Sequence, residues 1–87
     1  MNRYTVEFIP SALRQFKKLP PAAQTQVQNV IDGLAESPRP HGSKKLHGKL
    51  KDFHRIDTGN YRVVYEIHDK VLIVVVVKVG DRRDVYR

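Results

Sequence analysis

The stretch FHRIDTGNYRVVYEIH, Phe53 to His68, decides the architecture. Gly59-Asn60 separates two runs rich in β-branched and aromatic residues. Glycine at the first position of a two-residue loop suits a type II′ turn, whose geometry matches the right-handed twist of paired strands. That turn sets the register. Thr58 pairs with Tyr61, Asp57 with Arg62, Ile56 with Val63 and Arg55 with Val64. Side chains alternate across a strand, so two sets result. Ile56, Tyr61, Val63, Tyr65 and Ile67 share the face expected to meet helices. Arg55, Asp57, Arg62, Val64 and Glu66 share the opposite face. His54 falls on the helix side and reads as a structural histidine at the core rim.

Downstream, Val71 to Val77 is apolar without alternation, the pattern of a strand central in its sheet. This strand is expected to run to about Val79, with Gly80 ending it and permitting a bend. Upstream, Arg3 to Ile9 alternates, with Tyr4, Val6 and Phe8 on one side, which reads as a strand ended by Pro10. Ser11 to Leu19 reads as a short helix with Ala12, Phe16 and Leu19 on one face and Leu13 beside them. Pro20-Pro21 then opens a second helix, since proline suits a helix's first turn. It runs to about Glu36, with Ala23, Val27, Val30, Ile31 and Leu34 as its apolar stripe.

Helices joined so tightly are expected to form an antiparallel hairpin. Ser37 to Gly42 is a loop by its breakers. Lys44 to Lys51 is basic and expected to be mostly irregular, anchored by Leu46 and Leu50. The N-terminal strand is the natural neighbour for the open side of the long apolar strand. The expected class is α+β: a small four-stranded, largely antiparallel sheet packed by an N-terminal helical hairpin, in the order β-α-α-β-β-β. One domain spanning residues 1–87 is the expected organisation.

The formal charge is +7, and its distribution is uneven. Basic residues crowd into Arg39 to Arg62 and again into Lys78 to Arg87, whereas the first 38 residues are nearly neutral. Polyanions, nucleic acid first among them, are the expected partners. There is no cysteine, which excludes disulfides and thiolate metal sites. The N-terminal segment lacks a basic stretch followed by an apolar one, and the apolar run at Val71 is far too short for a bilayer-spanning helix of about 20 residues. A cytoplasmic location without membrane association is expected.

Two arginines on one solvent-facing sheet surface make a plausible phosphate clamp, because a planar guanidinium grips two oxygens at once. The competing description is an ordinary ion pair of Arg62 with Asp57. The tail from Gly80 to Arg87 adds Arg82, Arg83 and Tyr86, residue types that pair with phosphates or stack on bases. His41, His47, His54 and His68 show no metal-pair spacing. Ser11, Ser37 and Ser43 lack a nucleophile elbow, and no glycine-rich phosphate loop is present. No metal and no cofactor are expected.

Lys45-Leu46-His47-Gly48, Phe53-His54-Arg55-Ile56, Tyr61-Arg62-Val63-Val64-Tyr65-Glu66-Ile67 and Val79-Gly80 through Val85-Tyr86 occur in an order that resembles the RelE/ParE toxin superfamily, its RelE-like branch in particular. The early Ser11-Ala12 and Leu19-Pro20 extend the resemblance over nearly the whole chain. It implies the toxin of a type II toxin–antitoxin pair, an endoribonuclease that cuts messenger RNA on the ribosome without metal. Attack of the ribose 2′-hydroxyl on the adjacent phosphate would leave a 2′,3′-cyclic phosphate and a 5′-hydroxyl end.

By position, the resemblance implies that Arg55 and Arg62 stabilise the phosphate. Arg82 would sit near the leaving oxygen, and Tyr86 would orient or stack on the substrate. Lys44, Lys45, Lys49, Lys51 and Arg83 would hold RNA phosphates. Family sequences often carry a basic residue at the place of Asp57. An aspartate there either pairs with Arg62 or accepts the proton, and both roles stay open. The position of Asp81 often holds histidine. The resemblance also implies a cognate antitoxin that forms a hetero-oligomer with the toxin, and contact with ribosome, ribosomal RNA and messenger RNA. Two alternatives share the fold: a ParE-like toxin that poisons DNA gyrase, and a basic RNA-binding module without catalysis. Arg62→Ala or Arg82→Ala is expected to abolish toxicity and spare the fold, on the premise that both side chains are exposed.

Overall fold

The computed structural model describes residues 3–46, 53–81 and 83. The chain runs β1 (Thr5–Phe8), α1 (Pro10–Lys17), α2 (Pro21–Glu36), β2 (Lys44–Lys45), β3 (Phe53–Thr58), β4 (Tyr61–His68) and β5 (Ile73–Asp81). The strands form one mixed sheet in the order β1-β5-β4-β3-β2. β1 joins β5 in parallel, and the other pairings are antiparallel.

The β3–β4 hairpin has the register set by Gly59-Asn60, from Thr58 opposite Tyr61 to Phe53 opposite Glu66. Gly59 has a φ of +58°, which the first position of a type II′ turn demands. Both helices begin on prolines, where an absent backbone donor leaves nothing unsatisfied. Ala12 of α1 and Val27, Ile31 and Leu34 of α2 bury against Val63, Tyr65, Val74, Val76 and Val79, with Val6, Phe8, Ile56 and Ile67 packed around them. The helices therefore cover the apolar sheet face and leave the arginine face to other contacts. Tyr65 is fully buried at the centre of this core, and its hydroxyl donates to the Pro38 carbonyl at 2.8 Å. A buried phenol needs such a partner, and the bond ties the loop after α2 to β4.

Four expectations require correction. The sheet has five strands, not four, because Lys44-Lys45 pairs with Arg55 and His54 as an edge strand. Two lysines carry no apolar alternation, so only the neighbouring backbone reveals this strand. The first helix starts at Pro10 and ends at Lys17, with Lys18 and Leu19 in the turn that follows. Leu13 is exposed rather than part of the core. Finally, β5 begins at Ile73 and continues through Gly80 to Asp81, while Val71 lies in the preceding turn and is 63% exposed. Gly80 does not end the strand, because Arg62 and Tyr61 on β4 still offer partners to Gly80 and Asp81.

β5 outruns β1, and one backbone group left over is met from a helix: the Val79 amide donates to the Gln15 side-chain oxygen at 2.9 Å. Among the described residues no helix is long and apolar enough to cross a membrane.

Candidate active site

The sheet face turned away from the helices carries Arg55 and Asp57 from β3 and Arg62 from β4. Arg62 and Asp57 are directly opposed, and Arg55 lies diagonal to Arg62. Arg62 grips Asp57 in a two-point fork, Nε to Oδ1 and Nη2 to Oδ2, the latter at 2.9 Å. The Arg55 Nη1 reaches the same Oδ2 at 3.4 Å. One carboxylate thus holds two guanidinium groups side by side.

These side chains are poorly exposed: 14% for Arg62, 21% for Arg55 and 27% for Asp57. The premise that Arg62 is an exposed side chain is therefore wrong. Its head is held by the carboxylate fork. Partly desolvated pairs of this kind are stronger than those on an open surface. Chemically, two guanidiniums beside one carboxylate leave positive charge in excess, and such a cluster can attract an anion.

The basic residues reach this face unevenly. Lys44 on β2 stands opposite Arg55, so both share the arginine face. Lys45 stands opposite His54, on the helix side of the sheet. There it lines a cleft of about 400 Å³ with Arg39, His54, Glu66, Ile67 and His68. Arg83 folds back on Asp81, with Nε to Oδ1 at 3.1 Å and its backbone amide to Oδ1 at 2.9 Å. The positions of Lys49, Lys51, Arg82 and Tyr86 lie outside the described residues.

His54 stacks on Tyr65 with ring centres 5.8 Å apart. Its Nδ1 is buried and meets no hydrogen-bond partner among the described residues. Burial pushes its pKa below the ordinary value, and the charges of Arg39 and Lys45 push the same way. A neutral ring packed on the core rim is the structural histidine expected from its place in β3. A second polar cluster was missed. Asp69, in the β4–β5 turn, accepts both Arg39 nitrogens, at 3.1 and 2.9 Å, and the Tyr4 hydroxyl at 2.6 Å. These bonds hold the Asp69 carboxyl down at about 2, the Arg39 guanidinium contributing most. The partners are 30 and 65 positions apart, and no local pattern could have joined them. Among the described residues no group of three His, Asp or Glu side chains could hold a metal ion.

A helix pair on a mixed sheet, with Arg55 and Arg62 meeting one carboxylate on the face away from the helices, defines a small α+β protein with a basic cluster on that face. Comparison with known proteins gives the class its family. Residues 6–86 match the family described as the ParE toxin of the type II toxin–antitoxin system parDE. Toxin RelG of Mycobacterium tuberculosis is 36% identical over 85 residues, covering 97% of each chain. The mRNA interferase toxin RelE of Escherichia coli is 32% identical over 87 residues, covering 95% of this chain and 90% of its own.

The toxin–antitoxin complex RelBE2 of M. tuberculosis contains a chain that superposes with a TM-score of 0.83 at 32% identity, over 92% of this chain and 99% of that one. The isolated E. coli RelE toxin gives a TM-score of 0.78 at 31% identity, over 90% of this chain and 83% of that one. The chain belongs to the RelE/ParE superfamily of type II toxins, and within it to the RelE-like branch.

Proposed function

We propose that this protein is a ribosome-dependent endoribonuclease that cuts messenger RNA without a metal ion and is restrained by a cognate antitoxin. The observation that carries the reading is the pairing of Arg55 and Arg62 on one carboxylate, which aligns two guanidiniums on one sheet face. A relative named as an mRNA interferase supports the activity, and solved relatives in complex with RelB antitoxins support the partner.

The reaction is transesterification. The ribose 2′-oxygen forms a bond to the adjacent phosphorus, and the bond from phosphorus to the 5′-oxygen of the next nucleotide breaks. The products are a 2′,3′-cyclic phosphate and a 5′-hydroxyl. Negative charge gathers on the non-bridging oxygens, and fixed donors aimed there lower the barrier. Arg55 and Arg62 fill that role, the substrate phosphate taking over donors that Asp57 holds in the resting protein. Asp57 keeps the guanidiniums aligned until the phosphate binds, and once released it accepts the 2′-hydroxyl proton. Arg82 stabilises the negative charge on the leaving 5′-oxygen, which takes its proton from water to become the 5′-hydroxyl, and Tyr86 stacks on or orients the substrate. Lys44, Lys49, Lys51 and Arg83 bind RNA phosphates around the cut, and Lys45, on the helix side of the sheet, binds one farther along the RNA strand.

Induced expression followed by primer extension on cellular messages tests this reading. Growth should stop, and new 5′ ends should appear within translated regions. Unbroken messages under arrested growth would refute it. The family's ParE description favours one second reading, gyrase poisoning, which a supercoiling assay separates.

A further inference from the structure

β5 carries one residue more than β4 at a single point. Tyr65 pairs with Val76, yet Val64 pairs with Lys78, so Val77 is the extra residue of a bulge. Its consequence follows from alternation. Without the extra residue Val64 would face Val77, and Lys78 would face Val63, which is fully buried against the helices. The lysine would then enter the core, where an unpaired ammonium is strongly unfavourable. The bulge turns Lys78 to the arginine face and keeps Val79 in the core, 3% exposed. Bulges recur beside active sites because they re-aim side chains in this way.

Lys78 thereby becomes a diagonal neighbour of Arg62, whose direct partner on β5 is Gly80. Arg55 is the diagonal neighbour on the other side. Diagonal neighbours lie roughly 7–8 Å apart, within reach for long side chains. Arg62 is thus flanked by a cation on each side. The three differ in one respect. Arg55 and Arg62 are held by Asp57, whereas the half-buried Lys78 makes no side-chain hydrogen bond or ion pair among the described residues. The next carboxylate on this face, Glu66, contacts His68 at 3.1 Å.

We infer that Lys78 is a substrate-binding residue, which takes the RNA phosphate next to the one held by Arg55 and Arg62. The RNA backbone then crosses the strands from β3 toward β5, continuing a cationic row that starts at Lys44. This inference rests on the endoribonuclease reading. It adds a contact from β5 that the β3–β4 hairpin cannot supply.

The test compares wild type, Lys78→Gln and Lys78→Arg on ribosomes programmed with a defined message, with thermal melting of each protein. Lys78→Gln should raise KM roughly fivefold to tenfold and leave kcat within about twofold, because a neighbouring phosphate is bound alike in ground and transition states. One phosphate contact fewer should flatten the slope of log kcat/KM against log salt by about 0.7. The advantage of wild type should therefore shrink about 2.6-fold between about 50 and 200 mM KCl. Lys78→Arg should restore KM and slope.

Wild-type cutting with unchanged KM and slope in Lys78→Gln would overturn the inference alone. So would equal losses in both variants, which would mark a packing role, or a Lys78→Gln defect confined to antitoxin binding. Failure of wild type to cut would overturn the underlying reading as well.

Discussion

Arg62→Ala separates the structural contact of this side chain with Asp57 from the catalytic role proposed for it. The substitution removes a bidentate, charge-assisted contact in which Arg62 is 14% and Asp57 27% exposed. Hydrogen bonds to charged groups contribute about 1.5–3 kcal/mol each when enclosed. Residual solvation on both partners reduces the net loss to about 1–2 kcal/mol. For a domain of this size that corresponds to a melting point lower by roughly 4–16 °C. Activity should fall further, by about 10²–10³ in kcat, the usual effect of deleting one donor to a developing oxyanion.

Thermal melting of Arg62→Ala, Asp57→Asn and the double variant gives the coupling, expected at about 1 kcal/mol. Asp57→Asn should recover part of the stability lost in Arg62→Ala, because no unpaired carboxylate then remains from that contact. It should recover none of the cleavage. Additive stability effects, or an Arg62→Ala protein that cuts within about threefold of wild type, would refute the reasoning.

Other outcomes follow from the same geometry. Tyr65→Phe removes the hydroxyl that satisfies the buried Pro38 carbonyl, and should cost about 1 kcal/mol in chemical denaturation with no change in KM. Leu34→Ala, at a fully buried site on α2, should cost about 2–5 kcal/mol and leave much of the protein insoluble. Gly59→Ala should destabilise the hairpin by about 1 kcal/mol or more, since φ is +58° and the new Cβ would lie 2.5 Å from Gln26 Nε2.

Asp69 has a folded pKa of about 2, below the ordinary 3.8, so its contribution is complete above the ordinary value and disappears as pH falls through about 2. An NMR titration of its carboxyl carbon should show that midpoint. Arg39→Ala should move it back toward 3.8, and an unmoved midpoint would contradict the assigned cause.

The hairpin was legible because one glycine sets both the turn and the alternation on either side of it. Every pair predicted from Thr58–Tyr61 to Arg55–Val64 is present. The helices were legible from their apolar spacing, although Leu13 shows that a short helix leaves one flank open. The bulge at Val77 was not legible, since Val71 to Val77 is uniformly apolar and carries no register signal of its own. For the same reason, Lys78 could not be assigned to a face. β2 was hidden because a two-residue edge strand is defined by its neighbour rather than by its own residues. The Tyr4–Asp69–Arg39 cluster depends on three distant segments meeting, which only the folded chain provides. Sequence placed Arg55, Asp57 and Arg62 together on one sheet face, as the register shows, and misjudged how enclosed they are.

The most direct test is the chemistry of the cut ends. Purified ribosomes carrying a defined message should be incubated with wild-type protein and with Arg62→Ala in the presence of a zinc-selective chelator, and the fragments analysed for their termini. A 2′,3′-cyclic phosphate and a 5′-hydroxyl at a site in the decoding centre, formed by wild type and lost in the variant, is the predicted result. An intact message with folded protein and active ribosomes, or fragments ending in 5′-phosphate and 3′-hydroxyl, would contradict it.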